Sequence, residues 1–440
     1  MLKKFYRPFS RKLLPSILCS ALLLTAMFAA PAGSSSAADP VRVFPGAEGF
    51  GVDSPAGRGG TVIKVTNLNA DGPGSLKAAL AAKGPRIIVF EVGGVIDLNR
   101  QTLEISEPFV TIAGQTAPSP GITLIRGGMR ISTHDVLMKH IRFRMGDAGA
   151  AKGSGYEPDV STYGANAYNI VIDHCSFAWG VDETLSASGP RFNGTSGTSR
   201  KLTFSNNIIA EGLHDSVHKK GPHSMGTLIH DYVTDAAIVG NLFAHNYERN
   251  PWFKGFASGV VVNNVIHNPG KWAIRLGYVP GEWTSSSITP QGPKVSVVGN
   301  YMKHGANTVS GLGLVGTNSN SGEAYMDDNT ALNRSGQAVP LTFGGVKTLS
   351  SKPSWPSAGL TVRRSSEVLT YVTQHAGARP KDRDSVDKRI VSETLNGTGK
   401  LLNSQNEVGG YPKATPVYRK LTVPSNGIDE WLHQFSLELE

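Results

Sequence analysis

The chain has almost no cysteine, two in 440 residues. Cys19 lies in an N-terminal segment expected to be removed, so Cys175 has no intrachain partner and no disulfide frame holds the fold. The apolar neighbours of Cys175 mark it as a packed core thiol rather than a nucleophile. A second long apolar run is also missing, so beyond that first segment nothing reads as a membrane span. No dense Lys/Arg patch with interleaved aromatics appears, which removes support for nucleic-acid binding. Helical signal is sparse; its clearest stretch is Ser75 to Ala82, with an N-cap serine ahead of strong helix formers.

What is present begins with residues 1–38, read as a secretory signal. Lys3, Lys4, Arg7, Arg11 and Lys12 form its basic start, Leu13 to Ala30 its apolar centre and Ser36-Ala37-Ala38 its cleavage site. The expectation is a secreted, extracellular, soluble protein with no membrane contact in its mature form. The whole chain carries 43 basic and 34 acidic side chains, and the signal takes five basic and no acidic ones, leaving 38 − 34 = +4. A modest positive charge suits an acidic polymer as partner. About 400 mature residues can make two domains, but solenoids of that length run as one.

Several segments share one grammar, in which alternating apolar residues lead into Asn or His and apolar residues resume. They are marked by His140, His174, Asn206, Asn241, Asn264, Asn300 and Asn329, at spacings of 34, 32, 35, 23, 36 and 29 residues. A constant core with variable insertions predicts a β-solenoid whose coils keep their strands and vary their loops. At a corner between strands, an asparagine amide can bond the backbone and also the same amide in the next coil. Ser75 to Ala82 is expected to cap the open end of this solenoid. From about Leu349 the repeat is lost; 349–440 is read as a C-terminal extension packing on a solenoid domain of 39–348, with a short helix near Ser366 to Gln374.

The densest chemistry lies in Asn169 to Glu183, NIVIDHCSFAWGVDE. A β-branched strand delivers Asp173 and His174, read as a structural corner pair, and is followed by the adjacent acids Asp182 and Glu183. Arg249 to Lys254, RNPWFK, places two cations five residues apart with proline between them, a platform for polymer carboxylates. His214, His218, His223 and His230 cluster in sequence without the helical spacing of a zinc site. Trp179 and Trp252 either stack on sugar rings or pack between coils.

Together these motifs resemble the secreted pectate lyases of polysaccharide lyase family 1, in a pectate-lyase-C-like branch. The resemblance spans most of residues 43 to 305 and rests on FPGAEGFG, GRGG, GPGSLKAAL and TIAGQTAPSPGITL as well as IDH, DE and RNPWFK. It implies an all-β fold, a right-handed single-stranded parallel β-helix with an N-terminal capping helix. It also implies cleavage of pectate by β-elimination, with Ca²⁺ on a uronate carboxylate and an arginine as base. The base falls on Arg249. Lys254 stands where the family has a second arginine, and Arg275, His223 and Trp252 join it as expected substrate contacts. Metal ligation falls on Asp159 and Asp182. Ser186 stands where the family has its next acid, a gap for Glu183 to fill. Met225 aligns with a family lysine, whose replacement is sought among Lys219, Lys220 and His223. The expected partner is homogalacturonan, the acidic polysaccharide of plant cell walls, and the protein is expected to be monomeric. Three other readings stay open: a lyase acting on methylated pectin or another uronate polymer, a glycoside hydrolase using paired carboxylates, and a non-catalytic polysaccharide-binding solenoid.

Overall fold

The computed structural model describes residues 41–440 except 318 and 320. The expected signal segment, Cys19 included, lies outside the described residues. Among those described, no helix is long and apolar enough to cross a membrane.

The chain winds as a right-handed parallel β-helix of three sheets, with 11, 9 and 10 strands. Each coil contributes one strand per sheet, and consecutive coils pair in parallel, as where Ile170, Val171 and Ile172 lie on Val136, Leu137 and Met138. Inward side chains such as Ile112, Met138, Ile172, Phe204, Ile238 and Val261 form one continuous apolar core. The expected cap is there: α1 (Leu76–Leu80) has Ser75 as its N-cap, accepting from the Ala78 amide. Leu76 and Leu80 complete the core at that end. The fully buried guanidinium of Arg86 donates to the carbonyls of Ala79 and Leu80, satisfying acceptors that a helix end leaves free.

The recurrent asparagines form an amide ladder. Asn207 donates to Asn241, Asn241 to Asn264 and Asn264 to Asn300, each at 3.0 Å, and Asn300 donates to Asn329 at 2.9 Å. Each side chain also bonds backbone; the Asn241 Nδ2 donates to the Phe204 carbonyl at 2.9 Å. Three of the marked positions belong to a neighbouring column instead. His140, His174 and Asn206 take positive φ of 59°, 46° and 52°, the left-handed corner that Gly240, Asn263 and Gly299 occupy in later coils. Two adjacent columns thus share the corner: one bends the chain and the next ties the coils.

The region after Leu349 supplies a covering layer with more helix than its composition suggests: α2 (Ser365–His375), α3 (Ser385–Asn396) and α4 (Ile428–Leu439). Val368, Val372, Val386 and Ile390 of α2 and α3 cover Ile208, Leu242 and Val265 on the outer face of the 10-stranded sheet. Leu432 of α4 covers Ile87 and Val89 on the 11-stranded sheet, whose later coils are covered by Trp355 and Leu360. Val417–Tyr418 pairs antiparallel with Val92 and Gly93, closing an exposed strand edge. The outer face of the 9-stranded sheet carries a polar groove instead.

Candidate active site

In-register stacking builds one outward column on the 9-stranded sheet. Arg130 pairs with Ser161, Ser161 with Ser186, Ser186 with Leu228, Leu228 with Trp252 and Trp252 with Arg275. This column forms the floor of a groove of about 750 Å³, whose lining includes Asp159, Asp182, Glu183, His223, Arg249, Trp252, Lys254 and Arg275. All eight residues singled out in the sequence therefore meet on one surface, although 116 positions separate the first from the last (275 − 159).

Arg249 lies three residues before the strand Trp252–Phe253 and has a positive φ of 64°. Its carbonyl accepts the Thr227 amide at 2.6 Å. A Cβ at Gly226 would sit 2.5 Å from that oxygen, so only glycine admits the loop. Buried Asn250 anchors the bend by donating to the Trp272 carbonyl at 3.0 Å. Alternation then sends Trp252 into the groove, Phe253 into the core and Lys254 outward again. Trp252 gathers cations: the charged groups of Arg275, Arg249 and Lys254 lie 3.9, 5.2 and 5.3 Å from its ring centre.

Each of these cations already has an acidic partner. Arg249 pairs with Glu183, Arg275 with Glu248 at 2.9 Å, and Lys254 with Asp231 at 3.3 Å and with Glu282. Burial, reinforced by repulsion from Arg275, lowers the Arg249 pKa to about 10 against the opposing pull of Asp182. The Lys254 ammonium is likewise lowered by burial, opposed by Asp231.

The acids divide. Glu183 is engaged by Arg249. Asp159 leads into the strand Val160–Tyr163, and burial together with nearby Asp182 pushes its carboxyl up to about 7, with Ser161 and Ser186 hydroxyls opposing. Two carboxylates that repel each other beside two hydroxyls place several oxygen donors on one part of the groove. Asp182 also receives the His223 Nε2 at 3.1 Å, with His218 stacked behind His223 at 3.7 Å between ring centres. The ligating atoms of Asp182, His218 and His223 lie within 4.8 Å of one another, a grouping that looks metal-binding. The tautomer argues against that. The His218 Nδ1 accepts the Lys220 amide at 3.0 Å, so its neutral ring carries hydrogen on Nε2, the nitrogen facing Asp182 and Glu157. That nitrogen lies 3.4 Å from Glu157 and 3.5 Å from Asp182, facing both acids with its hydrogen rather than with a lone pair.

The remaining expectations resolve cleanly. Asp173 and His174 are a corner pair, bonded at 2.7 Å. Cys175 is a free buried thiol, its pKa pushed up to about 12 by burial. Trp179 is packed with its indole N–H on Glu211 at 2.9 Å, whereas Trp252 faces the groove. His214 lies against Tyr247 and His230 beside Arg191, so the four histidines do not converge. The sequence reading missed Glu248, although it adjoins Arg249, and also Arg191 and Glu282, which reach the groove from separate loops, and Asp231, buried behind Lys254.

No family model matches the chain. It is 37% identical over 380 residues to the "Probable pectate lyase C" of Aspergillus oryzae, across 83% of this chain and 81% of that protein. To the "Probable pectate lyase C" of Neosartorya fischeri it is 36% identical over 392 residues, across 86% and 83%. Among solved structures, a pectate lyase bound to hexasaccharide shares the fold with TM-score 0.52 and 16% identity, over 75% of this chain and 96% of that one. A Bacillus subtilis pectate lyase does so with TM-score 0.51 and 15% identity, over 75% and 96%.

Proposed function

The chain belongs to the pectate lyase C family of enzymes, and from that membership we propose that it cleaves pectate by calcium-assisted β-elimination with Arg249 as base, outside the cell. In this reaction Arg249 takes the proton from C5 of a uronate, the C4–O4 bond breaks, a C4=C5 double bond forms, and the leaving sugar departs on O4. The observation that carries the reading is the placement of Arg249, in a polar groove beside Asp159 and Asp182, where burial lowers its pKa to about 10 and its pair with Glu183 must open for it to act. A proton acceptor must first be neutral, and burial moves this arginine in that direction. Lys254 and Arg275 bind substrate carboxylates, Trp252 offers a flat ring to the sugar, and His223 holds Asp182 on the groove side.

Asp159 and Asp182 would hold the cation, with Glu183 joining only when its pair with Arg249 opens. Ca²⁺ so bound would neutralise a uronate carboxylate and ease loss of the neighbouring proton. The reading takes 39–348 as the lyase domain and 349–440 as an extension packed on it. Acidic partners on Arg249, Lys254 and Arg275 favour a second reading, in which methylated pectin is the better polymer.

The test is ultraviolet absorbance of the unsaturated product from polygalacturonate and from methylated pectin, each with Ca²⁺ and with EDTA. A signal on polygalacturonate that EDTA abolishes is the expected result. A signal on methylated pectin that EDTA leaves intact supports the second reading. No absorbance from either polymer would overturn the elimination.

A further inference from the structure

One wall of the groove holds Arg191, Lys254 and Glu282 around the buried Asp231, a quartet of charges of which the elimination as read above uses only Lys254. Arg191 begins the 3₁₀ stretch after the strand Glu183–Ser188, and its Nε lies 3.2 Å from the Asp231 Oδ2. The Lys254 ammonium lies 3.3 Å from the same oxygen. The other oxygen of Asp231 accepts the Gly255 amide at 2.8 Å. Asp231 is fully buried and is a fixed counter-charge. The fourth member differs: Glu282 reaches in from the turn Pro280–Glu282, meets Lys254, and meets Arg191 Nη2 at 2.8 Å. Its side chain is 36% exposed, against 3% for Lys254 and 17% for Arg191. Only Glu282 is free to leave.

The turn beneath it is anchored. Trp283 is buried, with its ring centre 5.7 Å from Phe256 and 6.0 Å from Tyr232. A rotation of the Glu282 side chain would thus uncover the cations without moving the loop. Two cations and Asp231 would then leave a net +1, the complement of one carboxylate. Lys254 and Trp252 are two residues apart on one extended segment, about 7 Å, so this position adjoins the sugar platform beside Arg249.

We propose that Arg191 and Lys254 form a carboxylate-binding subsite that Glu282 fills with its own carboxylate in the free protein, so that Glu282 sets how strongly the groove favours acidic over esterified uronates. The inference rests on the reading of the groove as a uronate-polymer site. An incoming uronate carboxylate displaces Glu282 and inherits its two partners; a methyl ester lacks the charge to do so.

The test compares wild type with Glu282→Gln and Arg191→Gln, using acidic and methyl-esterified galacturonate oligomers. Affinity is followed by tryptophan fluorescence, and kcat/KM by absorbance of the unsaturated product. In Glu282→Gln the acidic-to-ester ratio of both quantities is expected to rise about fivefold, the scale of a partly exposed ion pair. In Arg191→Gln the ratio is expected to fall. A ratio that stays constant or falls in Glu282→Gln overturns the subsite. Wild-type protein that binds neither oligomer sinks the functional reading and the subsite with it. Binding that ignores Glu282 sinks the subsite alone.

Discussion

The carboxyls of Asp159 and Asp173 both lose water on folding, yet Asp159 is pushed up to about 7 while Asp173 is held well below the usual carboxylate range. Burial acts alike on the two; their neighbours do not. Asp173 lies 2.7 Å from His174 and 3.1 Å from Lys139 and accepts the Ser205 hydroxyl at 2.7 Å. The Glu440 carboxylate reaches the same lysine at 3.0 Å from the end of α4. That cluster sets Asp173 and Glu440 on either side of the buried Lys139 and ties the covering layer to the coils. Asp159 faces another acid, Asp182, with Arg130 as the cation opposing it. A carboxylate held beside a buried lysine is fixed in its charged form and serves the fold, whereas one held beside another acid has its charge opposed.

The sharpest way to break this contrast is to exchange charges at each place. Arg249→Lys keeps the cation but loses the positioned guanidine, and turnover is expected to fall by about 10²–10⁴-fold with little change in melting temperature. Product absorbance and a thermal scan check both halves. Wild-type turnover is expected to climb roughly tenfold per pH unit toward pH 10, because the neutral form of Arg249 grows as pH rises to its lowered pKa of about 10. A flat profile between pH 7 and 9 would assign the proton to another group.

Asp173→Ala should do the opposite. It removes the nearer acid of Lys139 and His174 and leaves Glu440 as their remaining partner, costing about 1–3 kcal/mol, while kcat on the folded fraction holds. Because the folded pKa of Asp173 is depressed, the stabilisation it supplies is present above its unfolded value of 3.8 and is lost as pH falls below it. Circular dichroism melts of variant and wild type should therefore lie closer together at pH 3 than at pH 7 without meeting, because the loss is complete only below the depressed folded value.

The smallest effect is expected at Asp159. Its folded pKa is raised from 3.8 to about 7, so burial costs stability only as pH rises through that window. Without added cation, Asp159→Asn should melt roughly 1–3 °C higher than wild type at pH 8 and level with it at pH 4. Added Ca²⁺ should raise the wild-type melting temperature at pH 8 and leave the variant's largely alone. A variant that melts lower at pH 8 would make Asp159 another structural acid like Asp173.

The sequence showed those parts of the molecule that are periodic or local. Apolar alternation gave the coils, and recurrent Asn gave their corners, though one step out of phase at Asn206, because bend and ladder residues adjoin and both favour Asn. The α1 cap was legible because Ser75 and its helix formers are contiguous. By contrast α3 and α4 are short covering helices, fixed by distant partners such as the Arg144–Asp387 ion pair at 2.8 Å. Arg249, Lys254, Asp182 and Glu183 stood out within short motifs. The acids that pair with Lys254 did not, because Asp231 and Glu282 lie 23 and 28 residues from it (254 − 231 and 282 − 254) and meet it only once the chain has wound into coils.

The amide ladder has one more consequence. Its successive members lie 34, 23, 36 and 29 residues apart in the chain, yet each step advances the stack by the same inter-strand distance of about 4.8 Å. Loop length is therefore uncoupled from pitch. The groove column inherits that pitch as a ruler with even graduations, and insertions can lengthen the walls without shifting a mark. A ruler of this kind is matched to a ligand that also repeats, which is how a polymer differs from a small molecule.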